Sequence, residues 1–293
     1  MKKATTLDEQ IELYKNRGCE LDMPIEDIEN ILLDVGYYRL GFYAFPFEET
    51  YPTTENRSHQ YKQGTKFSEI VTLYKFDFAL RTVLSKYINY IEVNFRTKLV
   101  YFASNYYKDD PTWFINHKIM AKSYIDNFDG KIYNEIRKNQ KIIQRHHKKY
   151  INDKYAPAWK LFEYATFGSV ISTYQSLLNI DIRTEIAQKY NIRNESVMLC
   201  YIRTMRNIRN MAAHDGVFFD CKLERQLKNG PALSINNENN SNLYSAILVM
   251  QYLLKGVSEN LSQEFAQEIR NIFDILKNNE KLKLIVEKSS GYF

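Results

Sequence analysis

From Thr65 to Ala103 the chain contains no glycine and no proline, and its apolar residues recur every three or four positions: Ile70, Leu73, Tyr74, Phe76, Leu80, Val83, Leu84, Tyr87, Ile88, Ile91 and Phe95. That spacing predicts one amphipathic helix of nearly forty residues, with room for a kink. A helix of that length buries its stripe against other helices. The remaining sequence agrees, with only 10 Gly and 6 Pro in 293 residues and no alternating strand pattern of useful length. The fold class expected is all-α.

Shorter helices are read from their end signals. Thr6-Leu7-Asp8-Glu9 forms a capping box before Ile11 and Tyr14, and Arg17-Gly18 ends that helix. Pro24-Ile25-Glu26-Asp27 starts a second helix that runs to about Gly36. Tyr37 to Phe47, YYRLGFYAFPF, is expected to be a short helix broken near Gly41 and Pro46, with a loop or short hairpin over 48–65. Residues 120–150 are polar and helix-compatible, with Ile132, Ile136, Ile142 and Ile143 as main apolar contacts, which suggests a peripheral element. Further helices are expected at 159–164, 168–178, 180–189, 194–214, 243–255 and 262–276. This divides the chain into an N-terminal helical extension, 1–64, and a helical core, 65–293, carrying a basic insertion at 105–156.

Composition narrows the class. Hydrophobic residues at 44% and charged residues at 26% exclude a disordered or collagen-like chain. The net charge of +5 is compatible with nucleic-acid binding where the cations cluster. Cys19, Cys200 and Cys221 share no close spacing, as expected of a reduced, cytoplasmic protein. Met1 to Thr6 shows no apolar leader, and the longest apolar run, Tyr244 to Tyr252, is far below the roughly 20 residues of a membrane helix. No membrane partner is expected. The abundance of Tyr (23) and Phe (17) beside Lys has two readings, RNA stacking or A/T-rich codon usage. Likewise Tyr37, Tyr38, Phe42 and Tyr43 around Arg39 are either base-stacking residues or a hydrophobic plug.

The segment Cys200 to Asp220, CYIRTMRNIRNMAAHDGVFFD, carries the most chemistry. On a helix, Arg203, Arg206, Asn207, Asn210 and His214 share an arc of about 100°, opposite Tyr201, Met205, Ile208 and Ala212. No carboxylate interrupts this arc before His214, so its arginines lack a local partner. Unpaired arginines beside a histidine suit phosphodiester recognition, and equally a solvated polar face. The carbonyl end of a helix attracts an imidazolium, which suits His214 to proton transfer. A second basic group, Lys138, Lys141, Arg145, Lys148 and Lys149, lies in the insertion and is read as an RNA-contacting or solvated surface. Adjacent His146 and His147 point to different helix faces and make a poor metal pair, while His59 and His117 lack partners. No metal and no cofactor is expected.

Arg209-Asn210-Met211-Ala212-Ala213-His214 resembles the R-x4-H signature of HEPN-domain ribonucleases. The wider chain resembles the abortive phage infection (Abi) proteins of the AbiD/AbiF type. That likeness covers TTLDEQIELYKNRG, YYRLGFYAFPF, FSEIVTLYKFDFALRTVLSKYINYIEVNFRTKLVY, APAWKLFEYATFGSVISTYQSL and RNIRNMAAHDGVFF, in order. The resemblance implies an all-α HEPN-like bundle, usually dimeric, that cuts single-stranded RNA without a metal. It also implies a phage-defence or toxin role, association with a small structured non-coding RNA, and kinship with type VI CRISPR ribonucleases. Carried onto this chain, Arg209 binds the scissile phosphate, His214 handles protons and Asn210 orients one of them. Arg203, Arg206, Asn207 and Arg39, with the insertion cations, would contact RNA. On a straight helix Arg209 lies about 140° from His214. Arg206 is therefore held as a substitute, unless the helix loosens or the pair meets across a homodimer. Two other functions fit the same residues, a non-catalytic RNA-binding module and a dimeric interaction scaffold.

Overall fold

The computed structural model of the protein describes residues 3–214, 216–233 and 240–292. In chain order its helices are α1 (Leu7–Asn16), α2 (Ile25–Val35), α3 (Tyr37–Ala44), α4 (Phe67–Tyr106), α5 (Lys122–Phe128), α6 (Asn134–Asn139), α7 (Lys141–Lys149) and α8 (Ala158–Leu161). They continue with α9 (Phe167–Ser176), α10 (Ile180–Gln188), α11 (Glu195–Ala213), α12 (Leu243–Lys255), α13 (Glu259–Asp274) and α14 (Glu280–Ser290). The fold is all-α. Among the described residues its sheet content is one parallel pair of two-residue strands, β1 (Cys19–Glu20) and β2 (Thr65–Lys66), in register Cys19 to Thr65. Among the described residues no helix is long and apolar enough to cross a membrane.

Two compact units share the chain: Met1–Thr82 with Val217–Cys221 and Glu268–Phe293, and Val83–Gly216 with Lys222–Gln267. Helix α4 is common to both. It is unbroken over 40 residues, and its buried positions step by three and four from Phe67 to Ala103. Tyr74 and Val83, expected on the buried stripe, are half-exposed at its margin.

In the first unit, Thr6 and Glu9 form the expected reciprocal cap of α1, with Glu9 Oε2 accepting from the Thr6 amide at 2.8 Å. Tyr14, fully buried, meets Tyr37, Tyr61 and Phe67 at ring distances of 5.4, 6.1 and 5.1 Å. Gly41 does not break the aromatic segment. α3 runs through it to Ala44, and Pro46 then enforces a 3-10 turn over Phe45–Phe47. A glycine inside a helix lowers its stability without ending it when neighbours bury both sides, and Leu40, Tyr43 and Ala44 are all buried. Asp77, on the buried face of α4, has no solvent exposure. Its Oδ1 accepts from the Phe218 and Phe219 amides at 2.7 Å each, and its Oδ2 from the Tyr43 hydroxyl at 2.9 Å. Burial pushes its carboxyl up, while these donors and the Arg81 guanidinium pull it back.

In the second unit, Tyr87, Phe95, Tyr174, Tyr190, Tyr201 and Phe265 fill the interior. Residues 120–150 divide into several short elements. They form α5, a π turn at Asp129–Tyr133, α6 and α7, and they bury Tyr124, Phe128 and Tyr133 alongside Trp113, Phe114, Tyr155 and Phe162. Ile142, expected among their apolar contacts, is exposed. Ile132, Ile136 and Ile143 are buried as expected, and the aromatic residues anchor the region beside them. Lys98 of α4 donates to the Gly256 carbonyl at 3.1 Å and lies 3.9 Å over the Tyr190 ring. Burial and nearby Lys189 lower its pKa to about 8.

Replacing Asp77 by Ala strands two buried amides and is expected to cost about 3 kcal/mol or more in chemical denaturation. Lys98 gives a pH signature. Its folded pKa lies below the unfolded value of 10.5, so the unfolded chain holds the proton more tightly and rising pH favours the fold between those values. The Tm difference between wild type and Lys98→Met is expected to move in favour of wild type from pH 7.5 to about pH 10, read by thermal melts at matched pH.

Candidate functional site: a cationic groove along α11

α11 starts where the Asn194 side chain accepts from the Ser196 amide at 2.8 Å. It buries Val197, Met198, Tyr201, Ile202, Thr204, Met205 and Ile208. This leaves the polar arc on the other side. Arg203, Arg206, Asn207, Asn210 and His214 line one groove of about 660 Å³. The opposite wall is the segment 222–228, which contributes Lys222, Glu224, Arg225 and Lys228. Backbone bonds hold that wall, from Leu223 N–H to the Ser241 carbonyl at 2.8 Å and from Leu227 N–H to the Asn240 carbonyl at 2.9 Å. Lys228 Nζ also donates to Ser196 Oγ at 3.1 Å. All these residues belong to the second unit.

The wall was not anticipated from sequence. Its signal was present in KLERQLK, whose three cations follow closely on the motif, but nothing local shows that an irregular segment folds back along a helix. Among the described residues Glu224 is the one carboxylate in the lining.

Arg203 donates to Gln175 Oε1 of α9. Arg206 donates through Nε and Nη2 to Asn207 Oδ1, at 3.3 and 2.9 Å. Among the described residues neither makes an ion pair, and the same is true of Arg209. Their positive charge is available to an anion. His214 is the exposed C-cap of α11, its amide bonded to the Asn210 carbonyl at 3.0 Å. No side-chain hydrogen bond fixes its ring within the described residues. Asp215 lies outside them.

Arg209 is not in the groove lining. It is exposed, and its Nη1 reaches Asn210 Oδ1 at 3.4 Å. The helix stays regular to Ala213, so the rotation expected of a straight helix persists. The structure brings Arg206, not Arg209, to the groove that holds His214. Gly216 then turns the chain, its amide bonded to the Met211 carbonyl at 2.7 Å.

The other candidates lie elsewhere. Arg39 is in the first unit and donates to the Tyr43 hydroxyl at 3.0 Å. Its aromatic segment divides between both readings, with Leu40, Tyr43 and Phe47 fully buried while Tyr38 and Phe42 are exposed. Lys138, Lys141, Arg145, Lys148 and Lys149 are exposed on α6 and α7. His146 is buried 3.3 Å from Asp153, and His59 approaches Glu48 at 3.3 Å. Among the described residues no three His, Cys, Asp or Glu side chains gather as a metal site.

Residues 30–220 match the family model described as Abi-like protein. No curated protein and no solved structure matches the chain. The wall at 222–228 lies beyond the matched stretch.

A Cβ on Gly216 would stand 3.0 Å from the Met211 carbonyl oxygen and 3.1 Å from its Cβ. Gly216→Ala is therefore expected to lower stability by about 1–2 kcal/mol and to alter the His214 ring resonances in an NMR spectrum, without changing overall helicity.

Proposed function

The chain belongs to the Abi-like protein family, which places it in abortive infection, a form of phage defence; from that premise we propose that it acts as an RNA-binding, HEPN-like endoribonuclease of the AbiD/AbiF type, controlled by a small structured RNA. The observation that carries this reading is the groove itself. Arg203, Arg206 and His214 converge with Lys222, Arg225 and Lys228 around one cavity, and the arginines are not neutralised by carboxylates among the described residues. From Ser196 to His214 it follows about 27 Å of helix, room for a strand of several nucleotides rather than a single one.

Cleavage without a metal needs a base for the 2′-OH proton, an acid for the departing 5′-oxygen and cations on the phosphate. The 2′-oxygen attacks phosphorus, the P–O5′ bond breaks, and the proton removed from the 2′-OH is balanced by one delivered to the leaving oxygen. His214 serves one of these proton transfers. A homodimer supplies a second His214 for the other and lets the exposed Arg209 act across the interface, with Asn210 orienting a proton beside it. Arg206 binds the phosphate in the same groove, with Asn207 holding its guanidinium. A second reading, RNA binding without cutting, is favoured by one observation, that no side chain among the described residues orients the His214 ring.

With EDTA present, His214→Ala is expected to lower the cleavage rate by about 10²–10⁴-fold and leave RNA affinity within two-fold. The pair Arg203→Gln, Arg206→Gln is expected to flatten the dependence of log affinity on log salt by about 1.4, near 0.7 for each lost single-strand phosphate contact. Wild type that binds RNA but leaves it intact would establish the non-catalytic module. Binding no tighter than that of an unrelated protein of equal charge points to the scaffold instead.

A further inference from the structure

Residues 131–149 hold seven Lys or Arg and a single acid, Glu135. Among the described residues none of Arg137, Lys138, Lys141, Arg145, Lys148 and Lys149 forms an ion pair. The helices that carry them fold as a hairpin. α6 and α7 meet at Gln140, whose backbone is extended, and Gln144 Nε2 ties the turn by donating to the Lys138 carbonyl at 2.7 Å. Between them lies a cleft of about 530 Å³, lined by Asn134, Arg137, Lys138, Gln144, His147 and Lys148. It shares no lining residue with the α11 groove.

Beneath its exposed cations the cleft is tied by hydrogen bonds. His147 Nδ1 donates to the Asp153 carbonyl at 3.0 Å, and its Nε2 meets the Tyr133 hydroxyl, which also lies 3.1 Å from the Lys154 carbonyl. Ile136 and Ile143 bury the inner faces of the two helices. Burial and the adjacent Arg137 hold the His147 imidazole toward its neutral form, so the positive charge comes from Arg137, Lys138 and Lys148. The amides of Asn134 and Gln144 add neutral donors.

We propose that the α6–α7 cleft is a phosphodiester-binding site, a second contact for nucleic acid apart from the proton-transfer groove. Every residue lining this cleft ends in a charged or polar group, while the aliphatic stems of Arg137, Lys138, Gln144 and Lys148 form much of its wall. The cleft is shallow and open to solvent, a form that suits a charged backbone lying across it. The cations also continue out of the cleft along Lys141, Arg145 and Lys149, which extends the patch beyond one phosphate group. At the end of α7, half-open Tyr150 offers an aromatic face among them. The proposal rests on the RNA reading above and adds where the RNA is held away from His214.

The test compares wild type, the cleft variant Arg137→Gln/Lys138→Gln/Lys148→Gln and the groove variant Arg203→Gln/Arg206→Gln. All three are titrated with one fluorescent RNA across a salt series, with Tm measured to confirm folding. The cleft variant is expected to reduce the salt slope by about 2 and affinity at 0.1 M salt by about ten-fold or more. Lys141→Gln/Arg145→Gln, on the exposed face, is expected to give a smaller loss in the same direction. If the cleft variant binds as wild type while the groove variant weakens, the cleft assignment is wrong and the RNA reading survives. If wild type shows no RNA affinity beyond its net charge, both fail together. ATP and inorganic phosphate form a separate arm, and micromolar binding of either that the cleft variant abolishes would overturn the nucleic-acid backbone as ligand.

Discussion

Asp77 is the buried carboxyl around which the first unit closes. Its carboxylate sits on the buried face of α4 with no exposure, and it is tolerable there because two backbone amides and a tyrosine hydroxyl spend their hydrogen bonds on it. The two amides belong to Phe218 and Phe219, an irregular segment remote in sequence whose own donors would otherwise be buried and unmet. Each side thus satisfies the other. The Phe219 carbonyl is met in turn by Ser289 Oγ at 2.6 Å, which draws α14 into the same arrangement. An apolar residue at position 77 would pack as well but could not hold that segment.

In the second unit the constraint is electrostatic. Among the described residues α11 keeps its arginines without carboxylate partners, an arrangement that stability alone does not favour because like charges on one face repel. Side-chain amides take the place of counter-ions: Gln175 for Arg203 and Asn207 for Arg206. An amide oxygen orients a guanidinium without cancelling its charge, so the groove stays electropositive. The same economy appears at α6 and α7, where Gln144 bonds to backbone and leaves the cations free. Both surfaces gather cations that form no ion pair among the described residues, and they differ in that only the α11 groove contains a histidine not already tied through its ring nitrogens among the described residues.

Much of this was legible before any coordinates. The capping box at Thr6, the length of α4 and the helix from Asn194 follow from local rules, since caps, periodicity and the absence of breakers act within a few residues. The polar arc of α11 was legible for the same reason. Local rules fail where packing supplies the deciding energy. Gly41 remains helical among buried Leu40, Tyr43 and Ala44, and residues 120–150 pass through a π turn at Asp129–Tyr133, where Tyr133 packs against Tyr155 at 4.8 Å. α14 is hard to read locally, because its end signals, Asn279, Glu280, Lys288 and Gly291, enclose a short apolar face in which only Leu282 and Val286 are buried apolar residues.

The sequence by itself determined that the chain is helical, that one long helix organises it, and which face of α11 is polar, because helix rise and rotation are properties of the backbone. Only the tertiary structure decided what that face confronts. It placed Lys222, Arg225 and Lys228 across the groove, left Arg209 outside it, and gave Asp77 its partners more than a hundred residues away. Contacts of that range depend on how side chains fill a shared interior, and no window of neighbouring residues contains that information.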